Sequence, residues 1–474
     1  MIPAEGPSES LRRRVLVVCG DTLGARMAGP AIRAWNMASA LSREHDVRLV
    51  STSASERPGE GFETAHATWE QLRGHVDWAD VAIVQGYLLT AVPWLVEADV
   101  VLVCDVYDPL HLEQLEQAKD LEPDEYRRVV AGAVNTLNEQ MVRGDFFICA
   151  SERQRDLWLG QLAAAGRVNP DNYERDRSLR RLIDVVPFGL SESPPQRTGP
   201  GVRGVVPGIG PGDRVVIWAG GVYNWFDPET VVRAVDLLRT EVPDVRLYFM
   251  GLKHPNPDVP EMSTAVRTQQ LSDRLGLTGQ HVFFNAGWVD YDERQNHLLD
   301  ADLGISTHYE HVETAFSFRT RILDYLWAGL PIVSTRGDHF AELVDDRGLG
   351  ATVPEEDAEA LRAALLRLLT DDRAIAAARS AVAAVRSEYG WSRVLEPLVT
   401  FCRDPRPAAD RLAGVAAIRP PGMVAPPRAW SLLGDVRTLL LYVRQGGVRE
   451  VAVRVIGRIR RLAGADRPTA PPAG

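Results

Sequence analysis

Lysine is nearly absent from this chain: of 53 basic residues only Lys119 and Lys253 are lysines, a bias assigned to codon usage and not to function. Cysteine is scarce too. The four, Cys19, Cys104, Cys149 and Cys402, are far apart, and the first three sit in Val/Ile/Phe-rich runs that read as buried strands. That argues against a disulfide framework or a thiolate metal site and favours a reducing cytosol. No apolar run reaches the roughly 18 residues of a membrane-spanning helix. The run that begins at Val15 is cut at Gly20, too short for a secretory signal. A GxGxxG fingerprint is missing, because the spacing in CGDTLGARMAG fails it, which speaks against a dehydrogenase. There is no paired-aspartate motif at a strand end and no clustered His/Cys set, so neither a metal nor another cofactor is expected. Positive charge is also in deficit, with a formal net charge of −11, which argues against a nucleic-acid partner.

What is present is 474 residues, 45 % hydrophobic and 25 % charged, enough to bury a core in each of two or three domains. Short β-branched runs (RRVLVVCG, HDVRLVST, DVAIVQGY, VVLVCDVYD, DFFICASE, LIDVVPFG) alternate with helical patterns, the mark of βαβ units and parallel sheets. The Pro/Gly-dense segment 191–212 reads as a linker, and a second alternating series begins at DRVVIWAGG. The expected organisation is a Rossmann-like domain over 12–190, the linker 191–212, a second Rossmann-like domain over 213–390 and a closing helix over 391–405. A flexible Pro/Ala-rich linker over 406–430 and basic amphipathic helices over 431–464 complete it. From Arg428 onward there are nine arginines and three acids, leaving −17 for the chain before them. Val448, Val451, Val455, Ile459 and Leu462 fall on one helical face edged by Arg454, Arg458 and Arg461. This pattern suits a membrane surface, and packing against protein is the plainer reading.

Four segments carry candidate chemistry. In DTLGARMAGPAIRAW, Gly29 and Pro30 precede a helix whose first N–H groups can face a phosphate; a simple turn glycine is the plainer reading. In VLVCDVYDPLHLE a strand ends in Asp105, Asp108 and His111, where Asp105 or Asp108 can hold acceptor hydroxyls or steady positive charge at a sugar carbon. Helix capping by Asp108 explains it equally well. Ser151 and Pro187 end later strands in the same way. In VVIWAGGVYNWFDPET, Gly220 and Gly221 let backbone amides approach a phosphate, with Tyr223, Asn224 and Trp225 as a rim. In SFRTRILDYLWAGLPIV, Arg319 and Arg321 precede Asp324 in a helix ended by Gly329 and Pro331. Guanidinium groups suit a diphosphate and the aspartate a diol such as ribose; an Arg321–Asp324 surface pair is the alternative.

This last stretch resembles the retaining glycosyltransferases called family 4, over roughly residues 12–405. The resemblance implies the GT-B fold, two Rossmann-like doubly wound domains facing across a cleft, here followed by the amphipathic helical tail. It implies Asp324 on the ribose, Arg321 and Arg319 near the diphosphate, and Gly29, Gly220 and Gly221 in the phosphate loops. Trp288 and Val289 of GWVDYDE would contact the nucleobase, and Glu310 or Glu313 the donor sugar. The pattern departs in three places. Phe316 stands where the family's first acid would fall, GGVYNWFD lacks the family's basic pair, and Cys104–Asp105 replaces a histidine.

The resulting expectation is a metal-independent, retaining hexosyltransferase with Asp105, Asp108, Glu313 and Arg321 in the chemistry. It would move sugar from a nucleotide diphosphate donor to a glycan, a lipid-linked acceptor or a small molecule, in polysaccharide or cell-envelope synthesis at the inner face of the plasma membrane. The alternatives are an inactive glycosyltransferase-like scaffold and an epimerase or phosphorylase on the same fold.

Overall fold

The computed structural model describes residues 12–252 and 262–418. The expected amphipathic helices over 431–464 lie outside these, as do 419–430. Among the described residues thirteen strands form two sheets. The first seven are β1 Arg14–Cys19, β2 Asp46–Ser51, β3 Glu63–His66, β4 Val81–Gln85, β5 Val101–Asp105, β6 Phe146–Cys149 and β7 Ile183–Val185. They pair in the order β3-β2-β1-β4-β5-β6-β7. The remaining six are β8 Arg214–Trp218, β9 Val245–Phe249, β10 Val282–Phe284, β11 Leu303–Ser306, β12 Ile332–Thr335 and β13 Gly350–Val353, ordered β10-β9-β8-β11-β12-β13. Every ladder is parallel. Parallel strands covered by helices on both faces must be apolar on both. Hence Val15 to Cys19 and Val215 to Trp218 are all buried, and such strands read as continuous runs instead of alternating ones.

Strand order reverses between β1 and β4 in the first sheet and between β8 and β11 in the second. At such a switch point the loops leave on opposite faces and open a crevice beyond the carboxyl ends of the strands. The loops after β1 and β8 carry Gly29 and Gly220, so the topology aims both glycine segments at ligand-binding positions.

The linker over 191–212 lies on the second domain, where Asn296 accepts from the amides of Thr198 and Gly199 and Asp300 from that of Val202. The chain then returns. Leu190 and Gly390 form a bridge where the two crossings run side by side. Helices Trp391–Val394 and Glu396–Arg403 place Phe401 flat on Phe146, ring centres 4.3 Å apart, so the expected closing helix is two short helices on the first domain.

Residues 406–418 depart from the expected flexible linker. Asp410 pairs in the interior with Arg167 (Nε to Oδ2 2.7 Å), and Arg411 donates to Asp145 at 3.0 Å. The Ile418 amide bonds the Ala165 carbonyl. One buried and one half-buried ion pair fix a Pro/Ala-rich segment that has little apolar content of its own to bury.

Candidate functional site

A cleft of about 380 Å3 lies between the carboxyl edges of the two sheets. From the first domain it is lined by Asp21, Gly29, Tyr107, Asp108, Glu113 and Phe188, and from the second by Gly220, Gly221, Trp288, Val289, Glu313, Arg319, Arg321 and Asp324, among others. Segments 30 to 300 residues apart in sequence thus converge on one opening.

The loop after β8 is shaped by two glycines. Gly220 has φ +84°, a left-handed conformation that a side chain would strain. A Cβ on Gly221 would sit 2.9 Å from the Tyr223 ring, so the loop closes only without one. Tyr223 stacks on Trp225, ring centres 4.9 Å apart, and both line the cleft as expected of a rim. Asn224 does not. Its carboxamide oxygen accepts from the Ser263 hydroxyl and the Thr264 amide, and its nitrogen donates to the Gln117 carbonyl. It holds the start of helix Ser263–Arg274 in place, and this satisfied, inward role corrects its assignment to the donor rim.

Arg321 opens helix Arg321–Ala328, which ends at Gly329 in the left-handed conformation. Tyr325 of this helix ties it to both central strands. Its hydroxyl donates to the Ile305 carbonyl at 2.7 Å and accepts from the Ala219 amide. Arg321 is 7 % exposed, and its guanidinium lies 3.9 Å from the Phe226 ring centre and 4.3 Å from that of Trp218. One nitrogen, Nη2, donates to the Gly221 carbonyl at 2.7 Å. Nη1 has no hydrogen-bond partner, and among the described residues no carboxylate lies within ion-pair distance. Burial pulls its pKa down to about 10. A cation at a helix N-terminus also sits at the unfavourable end of the helix dipole. Each of these costs would be relieved by an anion against Nη1.

The other two arginines of the cleft are matched by carboxylates within the protein. Arg319 forms a buried two-pronged pair with Glu313, 2.9 and 2.6 Å, and rests 4.8 Å from Phe226. Glu313 reaches the cleft because the short helix Val312–Phe316 turns it inward, whereas Glu310 is exposed. Asp324 accepts from Arg294 Nε at 3.2 Å, not from Arg321. Arg294 is itself held between the rings of Tyr291 and Trp327, 3.9 and 4.4 Å from their centres.

Of the first-domain candidates, Asp108 and Gly29 line the cleft and Asp105 does not. Asp105 is buried in a two-pronged pair with Arg33, 2.7 and 2.9 Å, and Arg33 is fully inaccessible. Its carboxylate binds helix Gly29–Leu41 to the end of β5, which corrects the expectation that it holds an acceptor or steadies charge. His111 lies against Trp158 and is likewise outside the cleft. Ser151 caps the helix that follows it, accepting from the Gln154 amide.

Three charged lining residues escaped sequence reasoning, Asp21, Glu113 and Arg294. Glu113 reads as an ordinary first-turn acid of helix Leu110–Gln117. Arg294 follows GWVDYDE directly and would have been found by extending that loop one residue. Burial raises Glu113 well above the usual carboxylate range, reinforced by Asp108 and Glu313. Burial likewise pushes Asp108 up to about 7 against the hydrogen bond from Tyr107. The four cysteines are buried and free, with Cys104 held as an inert thiol by burial, its pKa near 12.

No curated protein sequence matches the chain. The family model described as glycosyl transferases group 1 matches residues 213–371. Among solved structures, sucrose-phosphate synthase from Thermosynechococcus elongatus aligns over 83 % of this chain and 98 % of its own with 14 % identity and TM-score 0.58. HepE from Anabaena, in complex with UDP-glucose, aligns over 82 % and 98 % with 15 % identity and TM-score 0.59. WaaG, a glycosyltransferase involved in lipopolysaccharide biosynthesis, aligns over 82 % and 99 % with 16 % identity and TM-score 0.55. Identities this low carry the two-domain fold, and the family model adds the second domain's kinship. Together with a cleft at facing switch points, they give the chain the GT-B fold, within which residues 213–371 match glycosyl transferases group 1.

Proposed function

We propose that the chain transfers a sugar from a nucleoside diphosphate sugar to a hydroxyl of a glycan, a lipid-linked saccharide or a small acceptor, with retention of configuration and without a metal ion. The observation that carries the reading is Arg321, a buried cation with an unpartnered nitrogen beside the Gly220–Gly221 loop. As the bond from the sugar carbon to the diphosphate breaks, negative charge grows on the leaving oxygen. A fixed, buried guanidinium and oriented amides stabilise that charge more than they stabilise the ground state. In this reading Trp288 and Val289, which line the cleft, take the base, and Asp324, bonded by Arg294, takes the ribose. HepE carries UDP-glucose, which makes UDP-sugars the first donors to try.

In the retaining course the acceptor oxygen bonds to the sugar carbon on the face the diphosphate leaves. Its proton passes to the departing phosphate oxygen, so charge balances without a protein nucleophile. Asp108 as carboxylate would hold the incoming hydroxyl. Glu313, paired with Arg319, lines the cleft despite the shifted spacing, which supports the enzyme reading over an inactive scaffold.

Calorimetric titration of the full chain with nucleoside diphosphates in EDTA tests the donor site. We expect heat for at least one diphosphate, and silence for all of them would remove the proposal. The rate of transfer should climb as pH rises through about 7, because the ionised form of Asp108 is the one that accepts the hydrogen bond. Asp108→Asn should flatten that limb. A limb unchanged in the variant would show that another group titrates.

The proposed attachment to a membrane surface concerns residues 431–464. It predicts that removing the chain from Ser431 onward releases the protein from membrane fractions.

A further inference from the structure

The loop between β10 and helix Arg294–Leu298 carries Trp288 and Val289 and belongs to the second domain, yet three consecutive residues of it are bonded to the first. The Tyr291 amide donates to the Ala25 carbonyl at 2.8 Å. On either side of it, Asp290 accepts from Arg26 Nε at 2.9 Å, and Asp292 accepts from both terminal nitrogens of Arg57 at 2.7 and 3.2 Å. The two ion pairs differ in quality. The side chains of Arg26 and Asp290 are 61 and 38 % exposed, and a pair so open to solvent contributes little. That of Arg57 is only 22 % exposed, and its guanidinium lies 4.8 Å from the Trp35 ring centre, so its planar fork is already oriented for Asp292.

Arg57 is tied in turn to the segment after β1 that leads to Gly29. Leu23 accepts from the amides of Glu56 and Arg57 at 2.7 and 3.2 Å and donates its own amide to Ala54. Residues 54–57 and that segment therefore form one hydrogen-bonded unit. Toward the cleft the contact continues through the backbone. The Tyr291 carbonyl accepts from Arg294 Nη1 at 2.7 Å, and Arg294 Nε donates to Asp324. Residues 285–293 have neither helix nor strand to fix them, and holding such a loop in one conformation costs entropy. A loop fixed before the ligand arrives removes that cost from binding.

Resting on the donor reading given above, we infer that Arg57 is a positioning residue for the donor: without touching it, the first domain clasps the loop that takes the base. The nucleoside half of the donor site is then completed by both domains together, although every group assigned to the base and the ribose lies on the second.

The test titrates the full chain calorimetrically with UDP, or with whichever nucleoside diphosphate the parent binds, and with inorganic pyrophosphate as a ligand that has no base. Arg57→Asp and Asp292→Arg should each weaken nucleoside diphosphate binding about threefold to tenfold. The double exchange should restore it to within about twofold of the parent. The two single changes shift net charge in opposite directions, so a field effect on the anion would weaken one variant and strengthen the other, whereas a broken clasp weakens both. Pyrophosphate, which needs the Arg321 end of the cleft and not the loop, should not share the joint loss. Asp292→Asn, at a side chain 64 % exposed, should show the same weakening where a charge reversal folds poorly. Parent-like affinity in the single variants, no recovery in the exchange, or an equal loss for pyrophosphate in both would overturn the inference while leaving the parent's binding, and so the donor reading, intact. Silence of the parent toward every nucleoside diphosphate would remove the donor reading, and this inference with it.

Discussion

Arg321→Met should melt at a higher temperature than the parent protein when the cleft is empty, and should lose its response to nucleoside diphosphates. Both effects come from one side chain. Burial draws the guanidinium's pKa from its ordinary value down to about 10, which sets the cost of keeping it charged on the order of 3 kcal/mol. Its bond to Gly221 and its contacts with Phe226 and Trp218 return part of this, and methionine keeps the apolar contact. A net gain of about 1–2 kcal/mol is therefore expected for the empty variant. The sign follows from the direction of the shift. For a base with a depressed pKa the penalty is in full force below about pH 10 and fades above it, so the melting advantage of the variant should shrink as pH passes that value. In turnover the order reverses. Loss of a charge-stabilising donor at the leaving group should lower kcat/KM by about 10²–10³-fold. Thermal shift with and without a nucleoside diphosphate reads both effects. An equal ligand-induced shift in variant and parent would place the diphosphate elsewhere.

That such a residue could be singled out from sequence, while its surroundings could not, has a physical cause. Strands buried on both faces are written as unbroken apolar runs, so β1, β5 and β8 were plain in RRVLVVCG, VVLVCDVYD and DRVVIWAGG. The helix bearing Arg321 announces its end through Gly329 and Pro331, and the loop after β8 its sharp turn through Gly220. These are local signals. Which carboxylate faces which arginine is decided by topology, and Arg33 meets Asp105 across 72 residues. Arg319 and Arg321 look alike in SFRTRILD, yet one is neutralised by Glu313 and the other by nothing described. Asn224 was read as a ligand group because it follows two glycines, but the helix start that consumes its amide lies 40 residues on. Asp410 shows the same limit from the other side, since its partner Arg167 lies 243 residues earlier in the chain. A Pro/Ala-rich composition therefore read as loose a segment that is pinned.

Asp105 offers the second large effect, and it separates a structural carboxylate from a chemical one. Asp105→Ala would leave Arg33, wholly inaccessible, with a backbone carbonyl from Val186 as its remaining hydrogen-bond partner. Breaking a buried pair from one side costs about 3–5 kcal/mol, a large part of the roughly 5–15 kcal/mol that holds a domain folded. Low soluble yield and a sharply reduced denaturant midpoint are expected. Removing both charges avoids the orphaned cation. Arg33→Met combined with Asp105→Leu fills similar volume with apolar groups, and it should recover most of the midpoint. Because neither side chain lines the cleft, the double variant should also keep its affinity for nucleoside diphosphate, measured by the same titration used on the parent. Asp108→Asn should behave in the opposite way, stable but slow, since its carboxyl faces the opening. If Asp105→Ala instead folded with a normal midpoint and lost transfer, the carboxylate at the end of β5 would have to reach the reacting sugar in some state of the enzyme, and its assignment as the anchor of Arg33 would fail.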